Sequence, residues 1–276
     1  MEGIKMGQQI VLIAGASSGM GKVTTELLAA NGYYVFAMAR RMDRLEQMRC
    51  ERIEPIRLDV TDSESVRAAV DHVIATKGRI DVLVNCAGYG QLGAIECISM
   101  EAAHQQFEVN LFGYARLIQA VLPHMRHQKS GRIINISSLL GKISIPGFGW
   151  YAASKHAVEA LSEALRGEVM EFGIDVVVIA PGFIKTEFGT RQSALLEGVA
   201  HPSAYRKLLA GVHSFLSGES KAPGPEIIAK AILGAATAAN PPVRHALPMD
   251  SKMATMGRWL LGGPLFSWAI RRLMKI

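Results

Sequence analysis

Short runs of aliphatic and β-branched residues alternate along this chain with longer stretches whose apolar positions recur every three or four residues. Residues 9–14 form an uninterrupted apolar run after Gln9, the pattern of a buried strand. Residues 19–30 carry helical spacing and meet a stop signal at Asn31-Gly32. A second strand is predicted over 33–38, a short helix over 42–48, and a third strand over 53–58, with Pro55 tolerated only near its start. Asp62 or Ser63 is placed to cap a helix running toward Thr76. Further strands are expected at 80–84, 132–136 and 175–180, with a long helical region at 99–125 and a helix at 151–171 between them. A last helix and strand are expected at 226–239 and 243–247.

Strands of about six residues alternating with helices imply βαβ units and a parallel sheet covered on both faces. The fold class is therefore α/β. At roughly 150 residues per domain, 276 residues allow one or two domains. The alternation runs to residue 180 without a linker, which favours one, spanning residues 1–250. Residues 186–223 break the pattern with Gly, Ser, Ala and Leu punctuated by Pro202 and Pro223. So late an insertion in an open α/β sheet falls near the carboxyl ends of the strands, where ligands bind, and reads as a lid.

Composition narrows the picture. No apolar run approaches the roughly 18 residues of a spanning helix, so a polytopic membrane protein is excluded. The first nine residues hold no long apolar segment, which argues against a signal peptide. Cys50, Cys86 and Cys97 are odd in number and lack CxxC spacing, so a disulfide scaffold and a thiolate zinc site are disfavoured. A cytoplasmic protein is the expectation. The net charge of +6 is uneven: residues 251–276 hold five basic residues and no acid, leaving 25 basic against 24 acidic residues elsewhere. A nucleic-acid binder would carry its charge on a folded face with a reading motif, and none is present.

The first strand runs directly into Gly15-Ala-Ser-Ser-Gly19-Met-Gly21 and then a helix. A side-chain-free turn at that place lets a pyrophosphate approach the backbone, and the helix N-terminus offers free N–H groups and positive potential. Gly15, Ser17, Ser18, Gly19 and Met20 are the candidate contacts. A dinucleotide site selective for NAD usually has an acid at the end of the second strand, on the ribose 2′-hydroxyl. Here that place holds Arg40-Arg41. A guanidinium suits a 2′-phosphate, so NADPH/NADP⁺ is the expected cofactor.

Ser138 closes the fifth strand, and Tyr151 is followed four residues later by Lys155. On a helix, i and i+4 share a face, so Lys155 is expected beside the Tyr151 phenol. A neighbouring cation favours phenolate and lowers the tyrosine pKa, which makes Tyr151 usable as a general acid and base. YxxxK alone is a weak signal; its weight comes from lying downstream of a nucleotide turn and a strand-end serine.

These residues, with Asp59-Val60, Asn85-Cys86-Ala87-Gly88, Asn110 and Pro181-Gly182 followed by Thr186, resemble the short-chain dehydrogenase/reductase family over about residues 8–250. The resemblance implies a Rossmann-like, doubly wound single domain with about seven strands. It implies hydride transfer between a nicotinamide and a carbonyl or alcohol. Tyr151 would protonate the carbonyl oxygen, Lys155 would bind the nicotinamide ribose and lower the Tyr151 pKa, and Ser138 would position the substrate. Asn110 would hold a water that relays protons to Lys155. Asp59 and Val60 would meet the adenine; Asn85, Ala87 and Gly88 would flank the adenosine ribose and the sheet. Pro181, Gly182, Ile184 and Thr186 would line the carboxamide and diphosphate. Ala14 stands where the family usually has threonine, and Cys86 where it commonly has asparagine. Within the family the chain looks most like reductases of steroids, retinoids or other lipid-like carbonyls, and the apolar residues of the lid suit such ligands. The rival readings are an NADPH sensor or scaffold, which would have no use for Ser138, Tyr151 and Lys155 together, and a sugar-nucleotide epimerase, for which the chain is short. The family often forms homo-oligomers.

Two features lie outside this scheme. His124 and His127 near a helix end lack a third ligand nearby, so no metal is expected. From Pro264 onward, Leu265, Phe266, Ala269, Ile270, Leu273, Met274 and Ile276 fall on one half of a helical wheel. Ser267, Arg271, Arg272 and Lys275, with Trp268 among them, fall on the other. Such a basic amphipathic segment docks either on the protein's own body or a second subunit, or peripherally on a membrane surface.

Overall fold

The computed structural model describes residues 8–217 and 222–276. The first seven residues, and positions 218–221 of the expected lid, lie outside the described residues.

Ile10–Ala14 form β1, the strand around which the sheet is built. All five residues are buried because helices cover both faces. Val11 and Ile13 point to one apolar layer with Leu28 of α1 (Gly19–Ala30) and Ile228 and Ile232 of α9 (Glu226–Thr237). Ile10, Leu12 and Ala14 point to the other, with Leu117 and Val121 of α5 (Gly113–Gln128) and Leu165 of α6 (Gly149–Val169). This period-two division of a wholly apolar strand is the signature of a doubly wound sheet.

The other strands are β2 (Tyr34–Ala39), β3 (Ile53–Arg57), β4 (Val82–Asn85), β5 (Gly131–Ile136), β6 (Ile174–Pro181) and β7 (Arg244–Leu247). They stand in the order β3-β2-β1-β4-β5-β6-β7, every pair parallel. The expected seven-stranded α/β fold is the observed one. The order reverses between β1 and β4, so the carboxyl ends of β1 and β4 flank a switch-point crevice.

The remaining helices are α2 (Met42–Glu46), α3 (Ser63–Lys77), α4 (Met100–Phe107), α7 (Glu187–Glu197), α8 (Arg206–Ser217) and α10 (Met249–Leu273). Asp62 caps α3 by accepting from the Glu64 N–H at 2.9 Å. The long helix expected over 99–125 is interrupted: α4 gives way to a π turn over Glu108–Phe112 before α5 begins. The cause is Asn110 at the centre of that turn. Its amide donates to the Tyr89 carbonyl (2.9 Å) and the Ser154 hydroxyl (3.1 Å), and its oxygen accepts from the Tyr89 N–H (3.0 Å). These bonds draw one residue out of the helical register, a device that recurs at functional sites.

α7 and α8 form the described part of the segment expected to act as a lid. A third apolar layer joins them to the body: Leu196, Val212 and Leu216 pack with Leu139, Leu140 and Phe148, and with Phe266 and Met274 of α10. The helix α10 bends at Gly262, whose φ is 65°. Its second half docks on the body through Phe266, Ile270 and Met274, whereas Leu265 and Leu273, expected on the same apolar half, are exposed. The docking uses a glycine: a Cβ on Gly211 of α8 would come within 2.7 Å of the Met274 carbonyl oxygen.

Candidate active site

The glycine turn after β1 is built for close backbone approach. Gly15 has φ +89°, and a Cβ there would lie 2.7 Å from the Ala87 nitrogen. A Cβ on Gly21 would collide with the Gly15 carbonyl oxygen. Gly19 has φ +52° and faces Thr186, the residue before α7. Ser18, the residue before α1, makes no side-chain cap, so the first amides of that helix are left for another partner.

This turn forms one wall of a cleft of about 750 Å³. Gly15, Ser17, Ser18, Gly19, Met20, Arg40, Arg41, Asp59, Val60, Ala87, Gly88 and Thr186 of the expected cofactor set all line it. Asn85 does not. It is fully buried in β4, where its amide donates to Asn135 at 2.9 Å, and Asn135 in turn donates to Ser162 of α6. Its side chain ties two strands and a helix together; only its neighbours Cys86, Ala87 and Gly88 reach the cleft.

The two arginines expected at the 2′-phosphate point in different directions. The Arg40 side chain is 60% exposed and stands 3.9 Å from Asp59. Arg41 folds back onto the glycine turn and donates to the Ser17 hydroxyl (3.0 and 3.2 Å) and the Ser18 hydroxyl (2.9 Å). Arg41 thus presents its fork beside the glycine turn. Against the upward push of partial burial, bonds from the Thr61 N–H and hydroxyl, with Arg40 and Arg57 nearby, hold the Asp59 carboxyl below its ordinary range. One Asp59 oxygen takes both Thr61 bonds.

A second, smaller cavity of about 110 Å³ lies at the carboxyl ends of β5 and β6. Ser138, Tyr151, Lys155, Pro181, Gly182 and Ile184 line it, under apolar walls of Leu139, Leu140, Phe148, Phe183, Phe188 and Phe215. Met20, Cys86, Gly88, Thr186 and Phe188 line both cavities, so the two meet at one shared wall. Ser138 accepts from the Leu140 N–H at 3.1 Å, which leaves its own hydrogen to donate. The Lys155 ammonium donates to the Ile136 carbonyl at 2.8 Å and sits 5.3 Å from the centre of the Tyr114 ring. Burial pushes its pKa from 10.5 down to about 8, with Cys86 and Glu159 resisting the shift. Burial likewise raises the Cys86 thiol to about 11, against the pull of Lys155.

Several lining residues carry no sequence signal. Ser137 and Gln192 are buried polar residues in the apolar cavity, and the Ser137 hydroxyl has no hydrogen-bond partner among the described residues. Glu187 at the start of α7 accepts two bonds from Arg44 (2.8 and 3.0 Å) and lies 4.0 Å from Arg41. It thereby ties α7 to α2 across the cleft. Arg191 stacks over Tyr89 at 5.3 Å on the same rim. These residues meet only through tertiary folding. Among the described residues no group of three potential metal ligands occurs.

A strand–glycine–helix cleft joined to a Ser-Tyr-Lys cavity defines a nicotinamide-dependent oxidoreductase site, and comparison with known proteins agrees. The family model for short chain dehydrogenases matches residues 9–195. The chain is 45% identical over 186 residues to 3-ketodihydrosphingosine reductase of Bacteroides thetaiotaomicron, covering 66% of each. It superposes on a short-chain dehydrogenase from Streptomyces avermitilis with TM-score 0.82 and 36% identity, over 92% of this chain and 93% of that one. It also superposes on an alcohol dehydrogenase from the archaeon Thermococcus sibiricus complexed with 5-hydroxy-NADP, with TM-score 0.73 and 26% identity, over 87% and 96% of the two chains. The chain belongs to the short-chain dehydrogenase/reductase family, whose members are oxidoreductases acting on CH–OH groups with a nicotinamide cofactor.

Proposed function

We propose that the protein reduces a ketone on a slender, lipid-like chain with NADPH. The observation that carries this reading is the joining of two cavities, one lined by an arginine fork and glycines, the other apolar with Ser138, Tyr151 and Lys155.

The cleft fits the cofactor: its glycines leave space that side chains would fill, and Arg41 offers a planar donor set suited to a 2′-phosphate. Gly15, Ser17, Ser18, Gly19 and Met20 would hold the diphosphate, and Asp59 and Val60 the adenine. When bound, NADPH supplies the hydride. The chain's own residues handle the oxygen and the proton. Ser138 donates a hydrogen bond to the substrate oxygen and fixes its position. Tyr151 gives its phenolic proton to that oxygen. The Lys155 ammonium stabilises the phenolate left behind; Asn110, expected to hold a relay water, lines neither cavity and spends its side chain on Tyr89 and Ser154, standing against Gly88. The apolar walls exclude bulk water and strengthen these interactions.

A cavity of about 110 Å³ is small beside the roughly 300–1,000 Å³ of typical ligand sites. A flexible chain entering carbonyl first suits it better than a rigid ring system. The similarity to a reductase named for a long-chain ketone supports the same choice.

The test couples cofactor titration to turnover. NADPH is expected to bind at least about tenfold tighter than NADH, and Arg41→Ala to remove that preference where Arg40→Ala removes less. NADPH oxidation is then followed with long-chain 3-keto substrates. Tyr151→Phe should lose about 10²–10⁴-fold in kcat while NADPH binding persists. Equal affinity for NADH, or a Tyr151→Phe variant with near-full turnover, would refute the proposal.

A further inference from the structure

The helix α10 presents an outer face that no described residue covers. Of the fifteen exposed large hydrophobic residues among those described, nine lie on this helix. Met249, Met253, Met256 and Leu260 follow one another at spacings of four, three and four, which is a single stripe along its first half. Trp259 beside that stripe is 81% exposed, and Trp268 beyond the bend is 62% exposed. A soluble protein rarely leaves so continuous an apolar surface to water without a partner.

The charge around this surface selects the partner. Lys252, Arg258, Arg271, Arg272 and Lys275 are the only charged residues in 251–276. The Arg272 guanidinium stands 5.7 Å from the centre of the Trp268 ring, a cation beside an indole. A two-fold contact of this face with a second copy would set one +5 segment against another. The preceding 250 residues carry a net charge of only +1 and offer no acidic surplus to meet it. Tryptophan and basic side chains around an apolar stripe match the layered chemistry of an anionic bilayer surface. No helix among the described residues is long and apolar enough to cross a membrane, so the helix would lie on the surface.

We infer that α10 is a docking element for anionic lipid surfaces. Its outer face enters the headgroup region while its inner face stays on the body. That inner face packs with Leu140, Phe148 and Leu216, which also line the apolar cavity. Docking therefore brings the wall of the cavity alongside the lipid. This last consequence rests on the lipid-chain reading above; the docking itself does not.

The test is co-sedimentation of the full chain with phosphatidylcholine vesicles, with and without phosphatidylserine, read without turnover. Wild type should bind the phosphatidylserine vesicles at least about tenfold more tightly than phosphatidylcholine alone, with a blue shift of tryptophan emission. Trp259→Glu with Leu260→Glu should abolish binding. Arg271→Gln with Arg272→Gln should weaken it about tenfold or more. None of these four residues lines either cavity, so NADPH binding should be unchanged in both variants. No vesicle binding, or equal binding to both vesicle types, overturns the inference. So does a concentration-dependent dimer, seen by light scattering and broken by Trp259→Glu with Leu260→Glu, in protein that ignores vesicles. In each of these cases the ketone reductase reading stands or falls separately, on the cofactor and turnover measurements.

Discussion

Lys155 shows how burial sets the working range of a single residue. Its ammonium is held by one carbonyl in a largely apolar pocket, and its pKa falls to about 8. The unfolded chain would bind that proton at the ordinary value of 10.5, so between about pH 8 and 10.5 the unfolded state holds more protons than the folded one. The destabilisation from burying this charge is complete below pH 8 and is relieved as pH rises toward 10.5. On the proposed roles catalysis would move the opposite way, because only protonated Lys155 would stabilise a Tyr151 phenolate. Carbonyl reduction, followed as kcat/KM against pH, is expected to fall above about pH 8. In Lys155→Arg the falling limb should move upward, since a guanidinium keeps its proton. A limb still at pH 8 in that variant would assign it to another group. At this scale Ser138, Tyr151 and Lys155 stood out in the sequence only jointly, as a YxxxK spacing downstream of the glycine turn and a strand-end serine. It could not rank Arg40 against Arg41, because adjacent residues at a strand end diverge only once the turn's hydroxyls are in place. Ser137 and Gln192 were invisible for a related reason: an isolated polar residue has no pattern until walls close round it.

Among the elements, the strand–turn–helix unit is the most tightly constrained. Gly21 lies in the first turn of α1 with the Gly15 carbonyl directly beneath it. Gly21→Ala is expected to push the helix off the turn, lowering the melting temperature and abolishing NADPH binding. Gly167 of α6 is the control: nothing lies within 4 Å of the Cβ that alanine would add. Gly167→Ala should gain about 0.5–1 kcal/mol from helix propensity in urea unfolding and leave NADPH binding alone. Loss of cofactor binding in both variants, or in neither, would contradict the collision. This unit was legible because glycine spacing and strand burial are local properties. The π turn at Glu108–Phe112 was not. One extra residue hardly disturbs a hydrophobic period, and its cause, the bonds from Asn110 to Tyr89 and Ser154, spans 21 and 44 residues.

For the molecule as a whole, the alternation of strand and helix carried the seven-stranded sheet, since parallel strands need crossovers of that length. The attitude of the last helix was beyond reach. A helical wheel separates apolar from basic positions, but which apolar residues meet the body depends on the bend at Gly262 and the space at Gly211. Leu265 and Leu273 consequently face outward while Phe266 and Met274 face in. An outward stripe of methionine, leucine and tryptophan changes what concentration means for such an enzyme. If it docks on lipid as inferred and reduces a lipid-borne ketone as proposed, it would meet that ketone in two dimensions, and its rate would follow the mole fraction of substrate in the surface and not moles per litre. At fixed total ketone, added inert phosphatidylcholine–phosphatidylserine vesicles should slow NADPH oxidation by surface dilution, and Trp259→Glu with Leu260→Glu should make the rate indifferent to them.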